Sequence, residues 1–93
     1  MRFVWDTAKS IANLQKHRIS FEEAETVFSD PLAVTVDDQQ HSEQELREII
    51  IGHSDFGRIL FISFTERSEG IRLIGAREAT RQERKKYEDN ISH

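Results

Sequence analysis

Four short apolar segments joined by short polar connectors fill residues 32–76, and they limit most strongly what this chain can fold into. Each segment is rich in β-branched residues, which favour strands. The predicted strands cover residues 32–36, 46–51, 59–65 and 71–76. Consecutive strands on connectors this short run antiparallel, because a parallel crossover needs about a dozen residues or more. The sequence therefore predicts an antiparallel meander.

Two helical patterns precede the strands. Asp6 is a suitable N-cap, and apolar residues at helical spacing after it predict a helix over about 7–17. Ser20 and Glu23 form a capping box that predicts a second helix over about 21–28.

A further capping box, Thr80 with Glu83, predicts a helix over about 81–89 after the strands, and residues 3–5 can add an edge strand. The predicted fold class is α+β, with two N-terminal helices, an antiparallel sheet of four to five strands and a C-terminal helix.

The length of 93 residues predicts a single domain over residues 1–93. The chain has no cysteine, which excludes disulfide scaffolds, thiolate zinc sites and cysteine nucleophiles. No signal peptide is predicted, because no long apolar run follows a basic stretch at the start. The longest apolar runs are far too short to cross a bilayer. We expect a soluble cytoplasmic protein without membrane attachment.

Charge is divided unevenly along the chain. Residues 20–48 hold nine acids and one base, whereas residues 67–86 hold seven bases and three acids. This division indicates that the C-terminal third binds something anionic, although ordinary surface charge explains it equally well. Nine of the 13 bases are arginine, whose planar fork of donors binds phosphate bidentately.

Arginines at strand ends are the first candidates for chemistry. Strand alternation predicts that Ile71, Leu73 and Gly75 share one buried face, and Arg77 continues that row where the sheet ends. Arg67 closes the preceding strand. We expect these two guanidinium groups to converge on one nucleotide at a rim of the sheet. The alternative is that the arginines form ion pairs with neighbouring carboxylates, which are Glu66, Glu78 and Glu83.

RNA cleavage is a reaction that such cations can support. Attack of a 2′-hydroxyl on the adjacent phosphate builds negative charge, which fixed cations stabilise without a metal. His41 and Tyr87 are the candidates to move protons. The alternatives are a solvated loop histidine and an aromatic at the edge of the core. For His17 we expect a structural role, because it follows the first helix and favours its C-terminal dipole.

Metal and cofactor sites are not predicted. The histidines at positions 17, 41, 53 and 93 show no paired metal-ligand spacing. The glycines are scattered singly, so no phosphate-binding loop is present, and no nucleophile elbow occurs.

A series of short motifs gives the chain a resemblance to a known family. The motifs are Phe3-Val-Trp-Asp6, Asn13-Leu-Gln-Lys-His17, Ser20-Phe-Glu-Glu-Ala24, Phe28-Ser-Asp-Pro31, His41-Ser-Glu43, Phe64-Thr-Glu-Arg67, Ile71-Arg-Leu-Ile-Gly-Ala-Arg77 and Glu83-Arg84 with Tyr87 behind. In order and spacing, from about residue 3 to 88, they resemble the BrnT toxins.

The resemblance implies a toxin of a type II toxin–antitoxin module with a RelE-like fold that cuts RNA without a metal and arrests translation and growth. It implies a BrnA antitoxin, a ribbon-helix-helix DNA binder, in a two-plus-two complex that contacts DNA only through the antitoxin. By motif, it implies phosphate and transition-state contacts for Arg67 and Arg77. His41 and Arg84 also match family positions.

The predicted site therefore has two parts. The catalytic candidates are Arg67, Arg77, His41 and Tyr87, and the candidates for binding the RNA backbone lie on the last helix, at Arg81, Arg84 and Lys85. The alternative function is a catalytically silent binding module that acts only as the partner and co-repressor of an antitoxin.

Overall fold

The computed structural model describes residues 1–41 and 45–91 and contains three α-helices and five strands within those residues. The helices are α1 (Thr7–His17), α2 (Phe21–Thr26) and α3 (Arg81–Ile91). The strands are β1 (Phe3–Val4), β2 (Val34–Asp37), β3 (Glu48–His53), β4 (Ile59–Arg67) and β5 (Gly70–Glu78), and single 3-10 turns cover Val27–Ser29 and Gln39–His41. The predicted α+β class is confirmed. Ser42 and Glu43 of the sequence motif, and His93, lie outside the described residues.

The predicted N-caps Asp6, Ser20 and Thr80 all form, but the predicted capping box of Ser20 forms only in part, because the Glu23 carboxylate accepts from Ser54 and Arg58. The carboxylate of Asp6 accepts hydrogen bonds from the N–H groups of Ala8 and Lys9 at the start of α1. At the start of α3, Thr80 and Glu83 exchange both bonds of a capping box. These local bonds explain why helix starts are readable from the sequence.

The sheet is mixed, with the strand order β1-β5-β4-β3-β2. The neighbouring pairs among β2, β3, β4 and β5 are antiparallel, but β1 pairs parallel to β5. The prediction of an antiparallel sheet is therefore wrong at this edge, because β1 pairs with the last strand and short connectors constrain only consecutive strands.

The predicted order of elements also needs correction. The helices are not the N-terminal elements of the fold, because β1 precedes them and extends one edge of the sheet. The second helix is shorter than predicted, since α2 ends at Thr26 and a 3-10 turn follows it.

One face of the sheet forms the hydrophobic core. Leu60, Ile62 and Phe64 of β4 point to this face, and α2 covers it with Phe21 and its neighbours. Full burial of a side chain of this size stabilises the fold by about 1.5–3 kcal/mol. We call the opposite side of the sheet the second face.

A bulge in β5 decides which residues reach the second face. Ser63 pairs with Gly75 whereas Phe64 pairs with Leu73, so Ile74 is an extra residue in the strand. Leu73 therefore lies on the core face and Gly75 on the second face. The predicted alternation, which put Leu73, Gly75 and Arg77 together, is wrong after the bulge.

The bulge turns Arg77 away from the core and onto the second face, opposite Phe61 of β4.

In residues 1–41 and 45–91, no helix has both the length and the apolar character needed to cross a bilayer.

Candidate functional site

The Asn13 side chain fixes α1 against the edge of β5. Strand β1 pairs only with Ile71 and Arg72, which leaves the later part of the β5 edge without a neighbouring strand. There the amide of Asn13 accepts from the Ala76 N–H at 3.0 Å and donates to the Ala76 carbonyl at 2.8 Å, as a strand would. It also donates to the Ile19 carbonyl at 2.9 Å. These bonds hold α1 beside the second face.

A groove lies between α1 and the second face, and we call it the α1 groove. It consists of two adjoining depressions, of about 130 and 360 Å³, that share Asn13 and His17. The lining residues are Lys9, Ala12, Asn13, Lys16, His17, Arg47, Phe61, Ser63, Ile74, Gly75, Ala76 and Arg77.

Every charged side chain in this lining is basic. Lys9 and Lys16 come from α1, Arg47 precedes β3, and Arg77 comes from β5. The whole chain has a net charge of −4, so this groove is a local concentration of positive charge on an acidic protein. Such a site attracts an anion, and a row of cations suits a polyanion such as a nucleic acid backbone.

Arg77 is held in one orientation by two contacts. Its Nη1 and Nη2 donate to the two carboxylate oxygens of Glu83 at 2.7 and 3.0 Å, and its guanidinium carbon lies 4.0 Å from the centre of the Phe61 ring. The hydrogen bonds from Arg77 lower the pKa of Glu83, and those to Glu83 raise the pKa of Arg77. The pair is therefore charged throughout the neutral range.

This orientation leaves one edge of the guanidinium for a ligand. A guanidinium has five N–H donors, and Glu83 takes the edge formed by Nη1 and Nη2. Nη1 also donates to the Glu78 carbonyl at 3.3 Å. The remaining edge, Nε with Nη2, has the fork geometry that binds phosphate bidentately.

Arg67 lies at the other end of the same strand pair. Arg77 pairs with Phe61, whereas Arg67 pairs with Gly70 at the turn between β4 and β5. Six residues of strand at about 3.3 Å each separate the two positions by about 20 Å. The Arg67 guanidinium binds Glu45 at 2.8 Å. The expectation that Arg67 and Arg77 converge on one nucleotide is therefore wrong, because strand geometry holds them apart.

His41 lies outside the lining of the α1 groove, in the 3-10 turn that follows β2. Its Nδ1 is 3.0 Å from the carboxylate of Asp38, and its side chain is 61% exposed. A catalytic role for His41 stays a prediction, and His41 would have to act from a position exposed to solvent.

Tyr87 is buried and tied into a different cluster. Its hydroxyl donates to the Asp30 carboxylate at 2.6 Å and lies 2.9 Å from Nδ1 of His53. Burial, with the hydrogen bond to Asp30, raises the pKa of Tyr87 to about 12. Its catalytic role stays a prediction that this placement does not favour, because a buried phenol with so high a pKa cannot act as a base near neutral pH.

The predicted RNA-binding residues of α3 are exposed on its outer surface. Arg81, Arg84 and Lys85 border a shallow depression there together with Glu88 and Asp89. None of the three lines the α1 groove. Their surface has mixed charge, in contrast to the groove.

Lys9, Lys16 and Arg47 were not among the residues predicted for the site, and for His17 a structural role was expected. Lys9, Asn13, Lys16 and His17 follow helical spacing, so a shared face of α1 was readable, although such a face is usually solvated. No sequence pattern linked Arg47 to these residues, because Arg47 reaches the groove beside α1 only through the tertiary structure.

Comparisons with known proteins agree with this architecture. The family model for the "Ribonuclease toxin, BrnT, of type II toxin-antitoxin system" matches residues 5–83. The 1.1 Å crystal structure of the Brucella abortus ribonuclease toxin BrnT superposes with a TM-score of 0.67 and 23% identity over 87% of this chain and 99% of that chain. A likeness at this identity concerns the fold. The comparison with curated proteins finds no match.

Proposed function

Because the chain belongs to the BrnT family of ribonuclease toxins of type II toxin–antitoxin systems, we propose that it is an endoribonuclease that cleaves RNA without a metal. Cleavage would inhibit translation and growth. The observation that carries the proposal is the α1 groove, whose charged lining residues are all basic although the protein is acidic.

The groove offers what the transition state of RNA cleavage requires. As the 2′-oxygen attacks phosphorus, negative charge grows on the non-bridging phosphoryl oxygens. Glu83 leaves the Nε and Nη2 edge of Arg77 to bind two of those oxygens, and Glu83 and Phe61 together hold the guanidinium in place. Lys16 and Arg47 supply further positive charge along the same groove.

The remaining predicted residues take peripheral parts in this proposal. Arg67 contacts a different phosphate of the same RNA strand, beyond the end of the groove. Arg81, Arg84 and Lys85 hold the backbone on the surface of α3. His41 and Tyr87 remain the sequence-based candidates for proton transfer, and the variants His41→Ala and Tyr87→Phe test them by RNA cleavage.

The proposed partner is an antitoxin. A type II family implies a protein antitoxin. We propose a BrnA-like ribbon-helix-helix protein in a two-plus-two complex, with RNA as the substrate of the toxin and DNA bound only through the antitoxin.

Cleavage of a single-stranded RNA by the purified protein in the presence of EDTA tests the proposal. We expect products that end in a 2′,3′-cyclic phosphate and a 5′-hydroxyl, and a strand with 2′-deoxy linkages should resist cleavage. Arg77→Ala should lose activity, whereas Arg2→Ala, which removes an exposed arginine outside the groove, should retain it. Intact RNA after incubation with the folded wild type would contradict the proposal.

A catalytically silent binding module is the second candidate. One observation favours it, namely that Glu83 and Glu45 already bind the two predicted catalytic arginines, Arg77 and Arg67. Expression of the chain without an antitoxin separates the candidates. Growth arrest supports the ribonuclease, and normal growth with a well-expressed, folded protein supports the binding module.

A further inference from the structure

We propose that His17 is the general base of the cleavage reaction and takes the proton from the attacking 2′-hydroxyl. This inference rests on the proposed ribonuclease function. It reverses the expectation, drawn from the sequence, that His17 only complements the dipole of α1.

The position of His17 is the first argument. It is the last residue of α1, it is half-buried, and it lines both depressions of the α1 groove. It shares one depression with Arg77, Ser63 and Gly75. Gly75 carries no side chain there, so an RNA backbone can approach the floor of the groove between His17 and Arg77.

The chemistry of the other lining residues is the second argument. Lysine and arginine side chains are protonated near neutral pH, so they cannot accept a proton. The hydroxyl of Ser63 and the amide of Asn13 are not bases at this pH. Among the residues that line the groove, His17 alone carries an imidazole, the side chain that most often serves as a general base.

The other histidines of the described chain have different surroundings. His41 lies beside the Asp38 carboxylate, and His53 lies beside the Tyr87 hydroxyl. Within residues 1–41 and 45–91, neither ring nitrogen of His17 has a hydrogen-bond partner. Its imidazole is therefore available to a substrate hydroxyl.

The charged residues that line the groove with His17 are all cations, and one of them, Arg77, is already paired with Glu83 outside the groove lining. These cations are Lys9 and Lys16 of α1, Arg47 before β3 and Arg77 of β5. A phosphate bound among them brings the adjacent 2′-hydroxyl to the imidazole.

The step balances without any oxidant or reductant. The imidazole of His17 takes the 2′-hydroxyl proton while the 2′-oxygen forms a bond to phosphorus and the bond from phosphorus to the 5′-oxygen breaks. The electron pair of the broken bond stays on the 5′-oxygen, which takes a proton from water. The imidazolium then returns its proton to the hydroxide. The products are a 2′,3′-cyclic phosphate and a 5′-hydroxyl.

Steady-state cleavage of one RNA oligonucleotide by the full-length wild type, His17→Ala and His17→Gln tests this role. General base catalysis contributes about 100- to 10,000-fold, so we expect kcat to fall by that factor while KM changes by only a few-fold. Added imidazole should restore part of the activity of His17→Ala. His53→Ala, which removes an imidazole outside the groove, is the matched control, and thermal melting checks that each variant is folded.

The pH profile gives a readout that a structural role would not change. The kcat/KM of the wild type should rise with pH as the base loses its proton, and this rise should be absent in His17→Ala. Activity of folded His17→Ala within two-fold of wild type, or an unchanged pH profile, would overturn the inference alone. RNA left intact by the wild type would overturn the proposed function and the inference with it.

Discussion

The two ends of the β4–β5 pair each present an arginine on a strand, yet their surroundings differ in charge. At one end, Arg77 binds Glu83 and lines a groove whose other charged lining residues are basic. At the other end, which we call the hairpin end, Arg67 binds Glu45, and two more carboxylates, Glu48 and Glu66, line a depression on the core face of the sheet. Burial, followed by the charges of Glu66 and Asp37, raises the pKa of Glu48. The two arginines therefore differ in their neighbours rather than in their place on a strand, and it is these neighbours that favour Arg77 for the proposed phosphate contact.

The largest expected effect separates the two arginines. Arg77→Ala should lower the RNA cleavage rate by about 100- to 1,000-fold, the range for loss of one oriented donor to the transition state. Arg67→Ala should lower it by less than about ten-fold, because we propose for Arg67 only a contact with a phosphate other than the reacting one. Initial rates on one oligonucleotide measure both. A larger loss of cleavage rate in Arg67→Ala than in Arg77→Ala would mean that the reacting phosphate binds at the hairpin end and not in the α1 groove.

Loosening α1 should damage the groove and leave the hairpin end intact. Asn13→Ala leaves the Ala76 N–H and carbonyl without their partner, which we expect to destabilise the fold by about 2–3 kcal/mol. Denaturant unfolding measures this loss, and cleavage by the folded fraction should also fall. Stability equal to that of the wild type would mean that Asn13 does not hold α1 in place.

Glu83→Gln should increase the positive charge of the groove and keep the capping box. The salt dependence of RNA binding should then steepen by about one released counterion. The free energy of unfolding of Glu83→Gln should be about 1 kcal/mol lower than that of the wild type at pH 7, because the ion pair with Arg77 is lost.

The pH dependence of that loss follows from the lowered pKa of Glu83, which Arg77 causes first of all. A carboxylate with a lowered pKa stabilises the fold above its unfolded value of about 4.5 and loses the contribution as the pH falls through the folded value. The stability difference between wild type and Glu83→Gln should therefore shrink below about pH 4.5. A constant difference from pH 7 to pH 3 would contradict the ion pair.

The smallest expected effect concerns Glu48 at the hairpin end, where substitution should raise the stability of the fold instead of lowering it. Because the pKa of Glu48 is raised, the folded state binds its proton more tightly, and stability falls as the pH rises through the ordinary value of 4.5. Glu48→Gln should stabilise the protein by about 0.5 kcal/mol at pH 7 and by less at pH 4. Thermal melting at both values measures this, and a destabilised variant at pH 7 would refute the explanation.

Local signals in the sequence explain the parts of the fold that were predictable. The capping groups of Asp6, Ser20 and Thr80 act on their own helices, so they fix the helix starts within a few residues. The connectors between consecutive strands likewise dictate the antiparallel meander. The parallel pairing of β1 with β5 was not predictable in this way, since it joins distant segments.

The side chains of α1 show why the site was harder to predict. The apolar residues Ile11 and Leu14 of α1 are 55% and 48% exposed, whereas the polar Asn13 is buried against β5. A bulge at Ile74 reversed the face of Arg77. Gly75 beside it is the kind of strand glycine that often accompanies a bulge, but it does not by itself tell which residue is the extra one. The groove therefore arises from one side-chain amide and one irregular strand pair, both of which depend on tertiary contacts.

Binding of RNA in the α1 groove can be observed by backbone NMR of the wild type with a 2′-deoxy analogue of the cleaved RNA, which binds but cannot react. We expect the largest amide shift changes around the α1 groove, at Lys16, His17, Ser63 and Arg77, with smaller changes at Arg67. Changes concentrated at the hairpin end, with none along α1, would contradict binding in the groove.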